Sequence, residues 1–291
     1  MNETKKDSAY LRGLSSLEGS DSVMPPPPKI MGILNVTPDS FSDGGQHFDR
    51  DMAIGHARKM VADGAHILDI GGESTRPGAD VISVDEECAR VIPVIEACRD
   101  IGVTISIDTR KKPVMAEAVA AGASMINDVT ALEYDPDSLD FVAKSGLPVC
   151  LMHSSADPKV MQDNPTYENV VREVIDYLRG RIAVCEAAGI DKARIIVDPG
   201  IGFGKTADHN LSLIKGLPEF HELGCGLLLG ASRKSFIGRV AGADAATSRL
   251  PGSLAVALYG ARARVRIIRV HDVAETVQAL KIWQAIDAAS F

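Results

Sequence analysis

The sequence predicts a (β/α)8 barrel, and three observations carry that expectation. Eight short runs rich in β-branched and aliphatic residues recur along the chain, each separated from the next by a longer segment, several of them amphipathic; this is the pattern of βα units feeding a parallel sheet. The 291 residues lie near the roughly 250-residue norm of one closed barrel. There is no long insertion and no second composition regime, so a single domain is expected over 29–291. An open doubly wound sheet would bring fewer strands and a Gly-rich first turn.

Taken in order, the strands are expected at "KIMGIL", "HILDIG", "VTISID", "SMIND", "PVCLMH", "RIIVDPG", "GLLLGAS" and "RIIRVHD". Helices are expected between them, for example over 85–99 and 168–188; in the second, Val170, Val174, Leu178 and Ile182 recur every fourth residue on one face. Residues 1–28 carry charge, serine and a proline run without an apolar core, which predicts a disordered tail rather than a signal peptide.

Composition narrows the function classes. Apolar residues make up 45% of the chain and charged ones 24%, enough for a large core with a wettable surface. No apolar run approaches the ~18 residues of a membrane span. A net charge of −8 and a pI near 5.4 argue against a surface built for nucleic acid or anionic lipid, so an anionic partner must be small and held in a local cationic pocket. Five cysteines form no CxxC pair and are odd in number, which predicts neither a zinc knuckle nor a disulfide framework and suits a reducing cytoplasm.

Polarity enters the strands at their C-terminal ends. Asn35, then Glu73 to Arg76, Asp108, Asn127 with Asp128, His153, Asp198, Ser232 to Lys234, and Arg269 with His271 each follow or interrupt an apolar run. In a parallel barrel those ends face one way, so the residues converge on one mouth. Carboxylates and an amide can read the N–H groups of a heterocycle, and Arg, His, Lys and Asn can grip a phosphate. The inventory suits a ligand with a polar ring and an anionic tail.

Plainer roles compete at several positions. Asp128 and Asp272 are best read as helix caps or turn residues. Asp108 and Asp198 interrupt strands and need a partner to offset desolvation, which favours function. His153 is as well explained by a backbone carbonyl partner as by a ligand. Arg269 and His271 stand two apart on a strand and so share a face. Met152 and Phe203 are compatible with plain core, and "GFGK" lacks the spacing of a phosphate loop.

Together the motifs "MGILNVTPDSFSDGG", "DIGGESTRPGA", "SIDT", "IND", "LMH", "DPGIGFGK", "SRKSFIG" and "IIRVHDV" resemble the dihydropteroate synthase family in order and approximate spacing, from about Lys29 to the C-terminus. The resemblance implies a TIM barrel that joins 6-hydroxymethyl-7,8-dihydropterin diphosphate to 4-aminobenzoate with release of diphosphate. Carried over position by position, it implies Asp108, Asn127, Met152, Asp198, Phe203, Gly230 and Lys234 around the pterin. Asn35, Thr75, Arg269 and His271 would hold the diphosphate, Asn35 through Mg²⁺. Phe41, Pro77 and Ser235 would receive the aminobenzoate. Asp108, Asp198, Lys234, Asp43 and Arg76 form the implied catalytic group. The loops carrying Phe41 and Asp43, and Thr75 to Pro77, would close over the reacting centre. The resemblance further implies a cytoplasmic homodimer and a target for sulfonamides, which mimic aminobenzoate. Three places depart from the family pattern: "SSADPK" after "LMH", Arg110 where a smaller or aromatic residue is usual, and Arg264 where Gly is common, which predicts a different turn before the last strand.

Two rivals remain at this level. A methyltetrahydrofolate methyltransferase barrel would share the ring contacts but has no use for the diphosphate set. A catalytically silent pterin-binding paralogue would keep the pocket without turnover.

Overall fold

The computed structural model describes residues 26–37, 46–74, 80–154 and 165–289, so of the expected tail only 26–28 are included. Eight parallel strands close in sequence order: β1 (Lys29–Asn35), β2 (Ile67–Gly71), β3 (Thr104–Asp108), β4 (Met125–Asp128), β5 (Val149–Met152), β6 (Ile195–Asp198), β7 (Gly226–Leu229) and β8 (Ile267–Val270). β1 pairs with both β2 and β8, which shuts the barrel as the eight apolar runs predict.

The covering helices are α1 (Gln46–Ala62), α2 (Val84–Cys98), α3 (Lys112–Ala121), α4 (Ser138–Ser145), α5 (Val170–Ala187), α6 (Ala207–Lys215), α7 (Ser235–Ala241), α8 (Leu250–Arg262) and α9 (Val273–Asp287). α2 begins where the Ser83 hydroxyl accepts the Glu86 N–H, and α5 where the Asn169 side chain accepts the Arg172 N–H. Val170, Val174, Leu178 and Ile182 are all buried against the strands, so the four-residue spacing is the contact face. The short α7, which opens directly after β7 and places Lys234 at its N-cap, is an addition that the eight-unit pattern does not announce.

Two cores result from the alternation of strand side chains. Outward residues pack under the helices. Inward ones begin with an apolar floor of Met31, Ile67, Met125, Cys150, Ile196, Leu228 and Ile267. Above it the same parity turns Asp69, Ser106, Asp108, Asn127, Asp198 and Arg269 into the barrel. Register sets Asn35 beside Gly71, Gly71 beside Asp108 and Asp108 beside Asn127, a continuous rim across four strands. All five cysteines are free, and among the described residues no helix is long and apolar enough to cross a membrane.

The turn into β8 differs from expectation. Arg264 does not force a new geometry; it takes φ +60, the left-handed conformation a glycine would supply, and its N–H donates to the Ala261 carbonyl. Its exposed side chain offers little in return for a backbone state that costs an L-residue about 1–2 kcal/mol. Arg264→Gly is therefore expected to stabilise the fold by up to about 1 kcal/mol, the extra chain entropy of glycine cancelling part of the gain. Thermal unfolding checks this, and a lower Tm would contradict it.

Candidate active site

The centre of the mouth is an ion-pair cluster. Arg269, inward on β8, donates from Nε to Asp69 Oδ2 at 2.6 Å and from Nη2 to Asp108 Oδ2 at 2.7 Å. Asn127 adds a hydrogen bond from Nδ2 to Asp69 Oδ2 at 3.1 Å. Asp69 is wholly buried, so its charge is tolerable only because guanidinium and amide meet it there. Its second oxygen, Oδ1, and the Oγ of Ser106, which is paired with it in register, have no hydrogen-bond partner, leaving polar capacity just beneath the rim. Burial pushes the Asp108 carboxyl up to about 7, with Arg269 opposing and the neighbouring Asp69 adding to the rise. Burial works against the Arg269 cation, but Asp69 and Asp108 hold it above its ordinary value.

A second group lies across the mouth. Asp198 accepts the Gly200 N–H on Oδ1 at 2.8 Å; burial raises its carboxyl, and Lys234 opposes that rise. Lys234 donates to the Ile201 carbonyl and sits 4.5 Å over the Phe203 ring, a cation–π distance. Burial lowers its ammonium to about 8, with Asp198 resisting. Met152 is buried and pairs in register with Asp198. A Cβ on Gly230 would stand 3.5 Å from Asp198 Oδ2 and 3.8 Å from Arg269 Cβ, so glycine keeps the gap between carboxylate and guanidinium open. The structure thus brings Asp108, Asn127, Met152, Asp198, Gly230, Arg269 and Lys234 to one mouth, with Phe203 at its wall.

The remaining residues divide. Asn35 ends β1 at the rim, half-buried, and His271 follows β8 with its N–H and Nδ1 on Ser232 Oγ at 3.2 and 3.0 Å. Ser235 is exposed in the first turn of α7. Phe41, Asp43, Thr75, Arg76 and Pro77 lie outside the described residues, as do positions 155–157 of the "SSADPK" segment.

Several strand-end residues are drawn away from the mouth. Glu73 accepts Arg110 Nε at 2.9 Å and Lys111 Nζ at 2.6 Å, and Lys111 also reaches Glu87 at 2.7 Å. Two carboxylates and two cations pair there, so Glu73 anchors the base of its loop. Arg110, stacked 4.1 Å over Tyr134, is part of that anchor rather than a neutral variation. Asp128 is a turn residue as expected, accepting the N–H groups of Thr130 and Leu132. Asp272 occupies the N-cap position of α9 but makes no capping bond; its carboxylate pairs with Arg233. His153 meets Lys205 Nζ at 3.0 Å through Nδ1.

Asp69 escaped the sequence reading, although the signal was present: a carboxylate in the middle of "HILDIG" is as anomalous as those in "SID" and "IVD".

A closed barrel whose inward carboxylates, amide and cations share one mouth defines a class that the comparisons identify, for residues 31–271 match the family described as pterin binding enzyme. Dihydropteroate synthase of Escherichia coli K12 is 51% identical over 259 residues, spanning 89% of this chain and 91% of that enzyme. The Xanthomonas albilineans dihydropteroate synthase solved with 4-aminobenzoic acid is 49% identical, covers 91% of this chain and 94% of its own, and superposes with a TM-score of 0.86. Its complex with 7,8-dihydropteroate gives 46% identity, 91% and 95% coverage, and a TM-score of 0.83. The chain belongs to the dihydropteroate synthase family.

Asp69→Asn keeps the shape of the side chain and removes the charge facing Arg269, which retains Asp108 as a partner. The expected loss is about 1.5–3 kcal/mol, the range for a hydrogen bond to a charged group, short of the 3–5 for an abandoned charge. Urea unfolding measures it; a change below about 0.5 kcal/mol would show that the pair contributes nothing to folding.

Proposed function

We propose that the chain forms 7,8-dihydropteroate from 6-hydroxymethyl-7,8-dihydropterin diphosphate and 4-aminobenzoate, releasing diphosphate. The observation that carries this reading is the mixed charge of one mouth, where Asp108, Asp198 and Asn127 stand among Arg269 and Lys234. Related enzymes hold 4-aminobenzoic acid and 7,8-dihydropteroate in their structures, which supports the assignment of substrate and product.

The chemistry follows from the side chains. Ring N–H groups of the pterin donate to Asp108 and Asp198, and Asn127 and Lys234 supply donors for its ring acceptors. Burial raises the Asp108 carboxyl to about 7 and lowers the Lys234 ammonium to about 8, which brings both groups close to neutrality. The bond between the exocyclic methylene and the diphosphate oxygen breaks, its electron pair leaving with the diphosphate. The carboxylates then stabilise the cation left on a carbon conjugated to the pterin ring. The arylamine nitrogen attacks that carbon, and its proton passes to diphosphate or solvent. An arylamine needs no strong general base, so the step asks for none from the site.

Arg269 and His271 are assigned to the diphosphate, with Thr75 from the loop after β2, while Arg76 and Asp43 stay with the catalytic group. Phe41, Pro77 and Ser235 are assigned to the aminobenzoate, which makes sulfonamides candidate inhibitors. Among the described residues no group of three His, Cys, Asp or Glu side chains could cage a metal. Mg²⁺ keeps several waters and takes substrate phosphate oxygens, so it calls for few protein ligands, and the Asn35 amide oxygen is the one assigned to it. Bound there, Mg²⁺ would offset the charge of the departing diphosphate. A cytoplasmic homodimer completes the reading; Ile282 and Ile286, one turn apart and 59% and 71% exposed on α9, offer apolar surface to a second copy.

Purified protein given both substrates should form dihydropteroate with Mg²⁺, lose it in excess EDTA and recover it on added Mg²⁺. Undiminished turnover in EDTA would remove the metal from the reading. Absence of product under every condition would remove the activity.

A further inference from the structure

Lys205 lies behind the mouth, 3% exposed, and the reaction above gives it no part. Its Nζ donates to the Phe203 carbonyl at 2.8 Å, reaches the His153 carbonyl at 3.4 Å and lies 3.0 Å from His153 Nδ1. None of these partners is a carboxylate, which is an unusual setting for a buried lysine. Burial, with Lys205 adding, lowers His153 to about 3, so its ring is neutral and Nδ1 can accept. The other charged groups acting on Lys205 are Lys234, which repels it, and Asp198, which attracts it; burial comes first and lowers it to about 7. The rings of Tyr177 and Tyr167 pack on His153 at 4.9 and 6.3 Å, and His209 packs on Tyr167 at 5.0 Å.

The segment that Lys205 ties down is also held by hydrogen bonds from the Gly202 N–H to Asn210 Oδ1 at 2.7 Å and from the Tyr167 hydroxyl to the Gly204 carbonyl at 3.0 Å, but of these contacts only those of Lys205 tie the Phe203 carbonyl to the exit of β5. Gly200, Gly202 and Gly204 all have left-handed φ values of +70, +85 and +61, conformations that glycine adopts freely and loses just as freely. Yet this segment supports the mouth. The Ile201 carbonyl accepts Lys234 Nζ, the Phe203 ring lies under it, and a Cβ on Gly202 would come within 2.9 Å of Lys234 Cδ. A Cβ on Gly200 would fall on the His153 carbonyl oxygen, so the segment and the exit of β5 are in direct contact. Lys205 bridges those two pieces.

We propose that Lys205 is a positioning residue for pterin binding: by tying the Phe203 carbonyl to the exit of β5, it holds the 200–204 turn, and through it Lys234, in the geometry that receives the ring. The inference rests on the reading of the mouth as a pterin site. A purely structural Lys205 would affect unfolding and leave ligand affinity alone, so the two roles separate by measurement.

The test compares full-length wild type with Lys205→Met, using 6-hydroxymethylpterin as the probe in calorimetry across pH 6 to 9. The variant is expected to bind the probe at least tenfold more weakly at pH 6.5, while KM for 4-aminobenzoate stays within about twofold. The pH dependence should change too. In the wild type, Asp108 gains its charge at about 7, which favours binding, while Lys205 and Lys234 lose their protons at about 7 and about 8, which disfavours it. In the variant only the Lys234 loss remains on the alkaline side, and without the Lys205 charge it moves to higher pH. A lower Tm with unchanged pterin affinity and unchanged pH dependence would overturn the proposal. Should Lys205→Met fail to fold, lysine Cε NMR of the wild type carries the test, with Lys205 assigned as the low-titrating signal that survives in Lys234→Met. Added pterin should shift that signal, and a signal it leaves unmoved would overturn the proposal. Failure of the underlying functional reading looks different, because then the wild type would bind no pterin at all.

Discussion

A guanidinium buried between two carboxylates is the interaction on which the mouth of this barrel depends. Arg269 reaches across the interior from β8 to Asp69 on β2 and Asp108 on β3, and Asn127 on β4 closes on the same Asp69 oxygen. Side-chain exposures of 20% for Arg269, 0% for Asp69 and 12% for Asp108 mean that water screens these charges poorly. Each is therefore stable only in the presence of the others, and the positions of four strand ends become mutually dependent. The apolar floor of Met31, Ile67, Met125 and their neighbours excludes water from below, which strengthens the coupling above it.

One cation between two carboxylates leaves that half of the mouth with an excess of negative charge, and the Asp198 and Lys234 half supplies a compensating ammonium. A neutral ring carrying N–H donors fits against the carboxylates, and an anionic tail fits toward the cations. The same division explains why Gly71 and Gly230 stand where side chains would otherwise enter: a Cβ on Gly71 would lie 3.4 Å from that of Asp108, and one on Gly230 would lie between Asp198 and Arg269. The mouth is thus a set of fixed charges around a gap held open by glycine.

Much of this was legible in the sequence because strand parity and strand ends are local properties. The eight apolar runs became the eight strands, and β8 ends at Val270, so His271 follows the strand that carries Arg269. The anomalies in "SID" and "IVD" pointed correctly to inward carboxylates. What sequence could not give was partnership over long separations. Glu73 looked like a mouth residue until Arg110 and Lys111, 37 and 38 positions away, were seen to hold it. Asp272 looked like a cap until Arg233 took its carboxylate. Asp69 was passed over because its strand continues two residues further without another polar side chain, although mid-strand burial is what makes its charge consequential. Arg264 shows the converse: backbone geometry set by the fold persisted although the residue best suited to it was absent.

On the proposed reading of the mouth, the Asp69–Arg269 pair also bears on ligand binding, because Arg269 holds Asp108 in place through the same guanidinium. A double-mutant cycle of Asp69→Asn and Arg269→Gln, read by the affinity for 6-hydroxymethylpterin at fixed pH, tests it most directly. A coupling of at least about 1 kcal/mol, roughly a fivefold departure from the product of the two single effects, is the predicted result. Two losses that simply add would contradict it.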